Sequence, residues 1–192
     1  MAKHVRFAVF ASGNGSNFQA LADAVANKKL DAHLVLLVTD RPGSFATVRA
    51  KQLGIEWVEL SPRDFSEKAE YEEAILAELQ KRKVEWIVLA GYMRLIGPTL
   101  LSAFPNRIVN IHPSLLPLYP GKDAIGQAIQ DGASITGVTV HYVDAGMDTG
   151  PVISSQKITI DGHSRQEMES MIHQVEHQLY PTTLSELWGG NK

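Results

Sequence analysis

Residues 7–18 read Phe7-Ala8-Val9-Phe10-Ala11-Ser12-Gly13-Asn14-Gly15-Ser16-Asn17-Phe18: a short apolar run, a turn built on two glycines, and the start of a helical pattern. A strand feeding a helix through a tight turn is the repeating unit of a parallel sheet, because the helix carries the chain back before the next strand begins. The unit recurs downstream. Strands are expected over Phe7 to Phe10, Leu34 to Val38, Glu56 to Leu60, Trp86 to Leu89 and Arg107 to Ile111, with helices over Asn17 to Ala26, Phe45 to Leu53, Glu67 to Lys81 and Pro98 to Ala103 between them. Pro98 suits a helix start, where its missing amide hydrogen has no partner to lose.

The last third differs. Ile135 to Val143 and Val152 to Ile160 are long strand-like runs joined by Asp144-Ala-Gly-Met-Asp-Thr-Gly-Pro151, which predicts an antiparallel pair or extension at a sheet edge. In the first of these, Thr136, Val138, Val140 and Tyr142 alternate with Ile135, Gly137, Thr139 and His141, the pattern of a half-buried strand. A closing helix is expected from about Ser164 to Trp188, kinked or interrupted at Pro181. The expected class is therefore α/β: a single-domain, Rossmann-like, mostly parallel twisted sheet spanning 1–192, with helices on both faces and an antiparallel edge near the C-terminus.

Composition narrows the function classes. With 192 residues, 44% of them apolar, one core suffices without a disulfide or metal staple. No cysteine is present, which excludes thiol catalysis and thiolate zinc sites and agrees with a cytoplasmic setting. The net charge of −3 and the lack of a dense basic cluster argue against a nucleic-acid surface. Lys81-Arg82-Lys83 is better placed as the cationic end of a helix. The opening Met1-Ala2-Lys3-His4-Val5-Arg6 leads into an apolar run too short to span a membrane, and that run has the pattern of a first core strand rather than a signal peptide.

Three segments carry chemistry, and each falls at the carboxyl end of an expected strand, where open α/β sheets bind ligands. Ser12-Gly-Asn-Gly-Ser-Asn17 can present backbone amides and a helix N-terminus to an anion. A dinucleotide loop would need glycine where Phe18 stands, and a Walker loop would need lysine and a hydroxyl residue, so a monophosphate is the better fit. The bland alternative is a glycine turn capped by Ser16 or Asn17. Asp40 occupies the place of a ribose-binding acid, but without the third glycine that role is weak. In Asn110-Ile-His-Pro-Ser-Leu-Leu-Pro117, strand alternation puts Asn110 and His112 on one side, where an amide and an imidazole can serve a developing oxyanion or move a proton. Asp144 and Asp148 offer two carboxylates on a glycine-rich loop. Either could orient His112, and spacing alone does not choose.

Taken together, Ser12 to Asn17, Asn110 to Pro117 and His141-Tyr-Val-Asp-Ala-Gly-Met-Asp-Thr-Gly-Pro-Val152 resemble the folate-dependent phosphoribosylglycinamide formyltransferases over nearly the whole chain. The middle motif with its downstream aspartate is shared more widely, with methionyl-tRNA formyltransferase and formyltetrahydrofolate deformylase. The resemblance implies transfer of a formyl group from 10-formyltetrahydrofolate, as cosubstrate and without a metal, to the amine of glycinamide ribonucleotide. It implies a catalytic trio of Asn110, His112 and Asp148, with Asp148 keeping His112 charged, and moves Asp144, with Val143, to the folate loop. It implies that Gly13, Asn14, Gly15, Ser16 and Asn17 hold the substrate phosphate, that Glu176 lies near the ribose or glycinamide, and that Met93, Arg94, Leu95, Ile96 and Lys68 meet the folate. It implies a cis bond at Leu116-Pro117. The chain departs from some members at Gly121-Lys122-Asp123-Ala124-Ile125-Gly126, which lacks their histidines.

Other readings are a deformylase, which in the family usually has an added N-terminal domain, and a tRNA-acting enzyme with a basic C-terminal domain. A metal-dependent hydrolase built on His112, His141 and Asp148, and a noncatalytic folate or nucleotide-binding module, complete the set. Small molecules, not nucleic acid or membrane, are the expected partners.

Overall fold

The computed structural model describes residues 4–189. Met1 to Lys3, on which the reading of the chain start partly rests, lie outside the described residues. Seven strands form one sheet: β1 (Val5–Phe10), β2 (Ala32–Thr39), β3 (Trp57–Glu59), β4 (Trp86–Leu89), β5 (Ile108–His112), β6 (Ile135–Tyr142) and β7 (Val152–Thr159). Their spatial order is β3-β2-β1-β4-β5-β6-β7. The first five are parallel, and β6 and β7 add in antiparallel fashion. The helices are α1 (Ser16–Ala26), α2 (Phe45–Leu53), α3 (Lys68–Lys81), α4 (Pro98–Ala103), α5 (Ala124–Gln130) and α6 (Arg165–Gly189). The mostly parallel sheet and its antiparallel edge are as the sequence predicts.

Alternation along β1 explains the layering. Phe7 and Val9 point to one face, where α1, α2 and α6 bring Phe18, Leu21, Ala46, Ile172 and Leu184. Ala8 and Phe10 point to the other, where α3 and α4 bring Tyr71, Ile75, Leu79 and Leu100. A parallel sheet needs both faces covered, and the two cores supply that.

Three expectations are corrected. Residues Thr136 to His141 of β6 are all buried, so the strand is not half-exposed. Its partner β7 takes the edge, α6 covers one face, and the Ser114–Leu115 turn closes the other: Thr139 Oγ1 donates to Ser114 O at 2.7 Å, and a Cβ on Gly137 would stand 2.5 Å from Leu115. Of the kink or interruption expected at Pro181, the interruption is absent, since α6 continues to Gly189. The missing backbone bond is offset by burial of Tyr180, Pro181 and Leu184 around it, and Tyr180 is tied to the sheet by its hydroxyl, which donates to Leu89 O at 2.8 Å. Finally, α5 forms between Ile111 and Ile135, where the sequence pattern predicts no element. Asp123 starts it by accepting from Gly126 N–H.

Candidate active site

The carboxyl ends of β1, β4 and β5 open into a cleft of about 890 Å³. The glycine loop forms one end of it. Gly15 is the N-cap of α1 in the left-handed conformation, φ 75°, with no side chain capping the helix, so the alternative of a turn capped by Ser16 or Asn17 does not hold. The first amides of α1 are thereby left for an anion. The loop is held from behind: Arg49 donates to Asn14 O at 2.8 Å and to Asn14 Oδ1 at 2.9 Å, and Ala46 N–H donates to Gly13 O. A Cβ on Gly15 would come within 2.8 Å of Ala46 Cβ, whereas Gly13 faces open space.

At the other end stands a cluster created by strand register. Alternation places Ile108, Asn110 and His112 of β5 on one side, and Asn110 pairs directly with His141 on β6. His141 Nδ1 lies 2.7 Å from Tyr142 O, and since a carbonyl only accepts, that nitrogen carries a proton. His141 Nε2 then faces Asn110 Nδ2 at 3.1 Å and Asp148 Oδ1 at 3.5 Å. Asn110 Nδ2 also approaches Asp148 Oδ1 at 3.4 Å. His112 donates through Nε2 to Tyr119 O at 2.8 Å, while its Nδ1 lies 3.4 Å from Asp148 Oδ2. Both ring nitrogens of His112 thus face oxygen atoms, the Tyr119 carbonyl on one side and the Asp148 carboxylate on the other.

Asp148 is the hub. Burial works against its charge, but hydrogen bonding from the His141 side and from Gly121 N–H, with both imidazoles near, outweighs it and holds the carboxyl below its ordinary value. Asp144 behaves differently: its Oδ1 accepts from Gly146 N–H and Thr149 Oγ1 within its own loop. Of the two carboxylates that spacing left open, Asp148 faces the histidines and Asp144 shapes its own turn.

Of the residues singled out from sequence, the glycine loop, Met93 to Ile96, Asn110, His112, Val143, Asp144, Asp148 and Glu176 all border the cleft. Lys68 does not. Its ammonium lies 4.0 Å from Glu72, a buried carboxylate that accepts from the Gly97 and Leu100 amides at the start of α4. Glu176 reaches the glycine loop from α6 and accepts from Asn17 Nδ2 at 3.0 Å; burial raises its carboxyl pKa, against the opposing pull of Asn17 and His173.

Sequence reasoning missed the place of His141, which only the β5–β6 register reveals, and that of Gly121, whose amide donates to Asp148 at 2.8 Å. The segment that lacks histidines therefore still contacts the cluster, through backbone. His173 and Lys122 also border the cleft and carried no recognisable spacing. The Leu116-Pro117 bond is cis. Among the described residues, no group of three or more His, Cys, Asp or Glu is disposed to hold a metal ion. None of the described helices is long and apolar enough to cross a membrane.

Comparison with known proteins follows the same outline. The formyl transferase family matches residues 5–184. Phosphoribosylglycinamide formyltransferase of Bacillus subtilis (strain 168) is 49% identical over 187 residues, covering 97% of this chain and 96% of that one. Among solved structures, glycinamide ribonucleotide transformylase 1 from Geobacillus kaustophilus superposes with a TM-score of 0.95 at 57% identity, covering 97% of this chain and 100% of the other. Phosphoribosylglycinamide formyltransferase from Bacillus halodurans superposes with a TM-score of 0.94 at 44% identity, over 97% of each chain.

Proposed function

Because the chain belongs to the formyl transferase family and, within it, to the phosphoribosylglycinamide formyltransferases, we propose that it moves a formyl group from 10-formyltetrahydrofolate to the amine of glycinamide ribonucleotide in purine biosynthesis. The observation that carries this reading is the cleft itself, with an anion-ready glycine loop at one end and the Asn110, His112 and Asp148 cluster at the other. The loop from Gly13 to Asn17 takes the ribonucleotide phosphate, Glu176 lies beside the ribose or glycinamide, and the strip from Met93 to Ile96, with Val143 and Asp144, takes the folate. Lys68 is a peripheral folate contact that would have to leave Glu72.

The amine attacks the formyl carbon, and the resulting tetrahedral intermediate carries a negative oxygen. It collapses by breaking the bond to the folate nitrogen, which leaves with a proton. Asn110 offers its amide to the oxygen, and His112 offers positive charge and a proton, with Asp148 as its fixed counter-ion. The cosubstrate supplies the activated formyl group, so the protein binds, orients and stabilises charge. Chain 1–192 acts as one catalytic domain, its partners are small molecules rather than nucleic acid or membrane, and its setting is the cytoplasm.

The test is an assay with 10-formyltetrahydrofolate, with and without glycinamide ribonucleotide. Formyl loss should require the ribonucleotide and give the formylated product. Comparable turnover in its absence would make the protein a deformylase, and no turnover in either would leave a binding module.

A further inference from the structure

Asp40 has no part in the reaction above and does not border the cleft, yet it is 3% exposed and fully engaged. It follows the end of β2, which neighbours β1, and β1 in turn neighbours β4. One carboxylate oxygen accepts from the Ser12 hydroxyl at 2.5 Å, and the other accepts from Arg94 Nε at 2.9 Å. Having donated its proton to Asp40, the Ser12 oxygen accepts from Met93 N–H at 2.9 Å. Ser12 N–H donates in turn to Gly91 O at 3.1 Å. Every bond in this chain has a forced direction, because a carboxylate can only accept and a guanidinium and an amide can only donate. Asp40 therefore fixes which way Ser12 points. It also explains why an acid stands where dinucleotide enzymes bind ribose: both of its oxygens are turned inward.

Ser12 leads directly into the glycine loop, and Met93 and Arg94 open the folate strip. Arg94 itself is about half exposed and borders the cleft, and its charge is reinforced first by the hydrogen bond to Asp40. A ligand that orders one of these two segments must order the other, because the buried carboxylate joins them. Ordering that has already been achieved by a first ligand is not required of a second, and this produces positive coupling.

We infer that Asp40 is a positioning residue that ties the phosphate loop to the folate strip, so that ribonucleotide and folate bind cooperatively. The inference rests on the assignment of those two segments in the proposed function.

Its test is calorimetric titration of glycinamide ribonucleotide with and without saturating tetrahydrofolate, which lacks the formyl group and so forms an unreactive ternary complex. In the wild-type protein each ligand should tighten the other by the same factor, of about 5 or more. Asp40→Asn replaces one of the two acceptors by an NH₂ donor, facing either the Ser12 hydroxyl or the Arg94 guanidinium, and its factor should fall close to 1. Ser12→Ala cuts the path to Met93 while leaving the Asp40–Arg94 pair in place. It should do the same, and it carries the test if Asp40→Asn fails to fold. A merely structural role would lower the melting temperature and leave the factor unchanged, so a retained factor in a folded variant overturns the inference. A wild-type factor of 1 with both ligands bound overturns it alone. Failure of the wild-type protein to bind either ligand would instead overturn the functional assignment beneath it.

Discussion

Asp148 is held at φ 56°, in the left-handed region that residues with side chains seldom occupy. Such strain persists where surrounding contacts over-determine it, and here the Gly121 amide and the neighbouring imidazoles do so. An asparagine would keep the shape but turn one end into a donor, facing either the Gly121 amide or the Asn110 and His141 side. Asp148→Asn is therefore expected to lower kcat by about 10²-fold or more while changing both KM values less, as measured by steady-state kinetics. A near-normal kcat would remove Asp148 from the mechanism. Since the folded carboxyl lies below its ordinary value of about 3.9, the charge and the stability it lends are present at neutral pH and disappear only as pH falls through that lower value. Protonation of Asp148 itself should therefore add no acid limb to the wild-type kcat profile above about pH 5. Asn110→Ala removes a donor that matters chiefly once the oxygen becomes negative, and should cost about 10²- to 10³-fold in kcat with substrate affinities retained. Equilibrium binding of each substrate to the variant separates that outcome from simple loss of binding.

Among the elements, the turn between β1 and α1 offers a cleaner probe of phosphate binding than its second glycine would suggest. Gly15 needs its positive φ, and a Cβ there would also press on Ala46, so substitution disturbs the fold and the ligand together. Gly13 has nothing within 4 Å of a new Cβ and borders the cleft. Gly13→Ala is expected to leave the melting temperature nearly unchanged and to raise the ribonucleotide KM several-fold more than the folate KM; equal changes in both would argue against a phosphate there. This turn was legible in the sequence because a glycine-rich loop after an apolar run has few other uses. The strands were legible for a similar reason, with short β-branched runs bounded by turn residues, and their ends carried Asn110 and His112 with them. Pairing was not legible. That His141 stands opposite Asn110 depends on how β6 aligns with β5, and a one-residue slip would have turned it away. The seven residues of α5 escaped notice because two turns are too few to show a helical period. The burial of β6 on both faces depends on Leu115 and α6, which lie far from it in sequence.

Over the whole molecule, the cleft is assembled from both ends of the chain. Asn17, on the first helix, bonds Glu176, on the last, across 159 residues. The same helix α6 fastens the middle of the sheet, where the Tyr180 hydroxyl reaches Leu89 O at the end of β4 and Val109 O near the start of β5. The fold thus brings a buried acid against the glycine loop proposed to hold the phosphate. Glu176 is 6% exposed, and burial raises its pKa above the ordinary value of about 4.3. In the window between the unfolded and the folded pKa the native state binds the proton more readily than the unfolded chain. Stability contributed by this group therefore falls as pH rises through the window and does not recover above it. Glu176→Gln keeps an acceptor for Asn17 without the charge. Its melting temperature should exceed that of the wild-type protein at pH 8, and the difference should shrink as pH is lowered toward 5. The same substitution should raise the ribonucleotide KM, because an ionised carboxylate is the stronger acceptor for the ribose hydroxyls or glycinamide beside it. Thermal unfolding across that pH range, paired with KM at pH 8, checks both. A gain in stability with no change in KM would show Glu176 to be a buried charge that the substrate does not use, and a pH-independent difference in melting temperature would show that its burial is not what separates the two proteins.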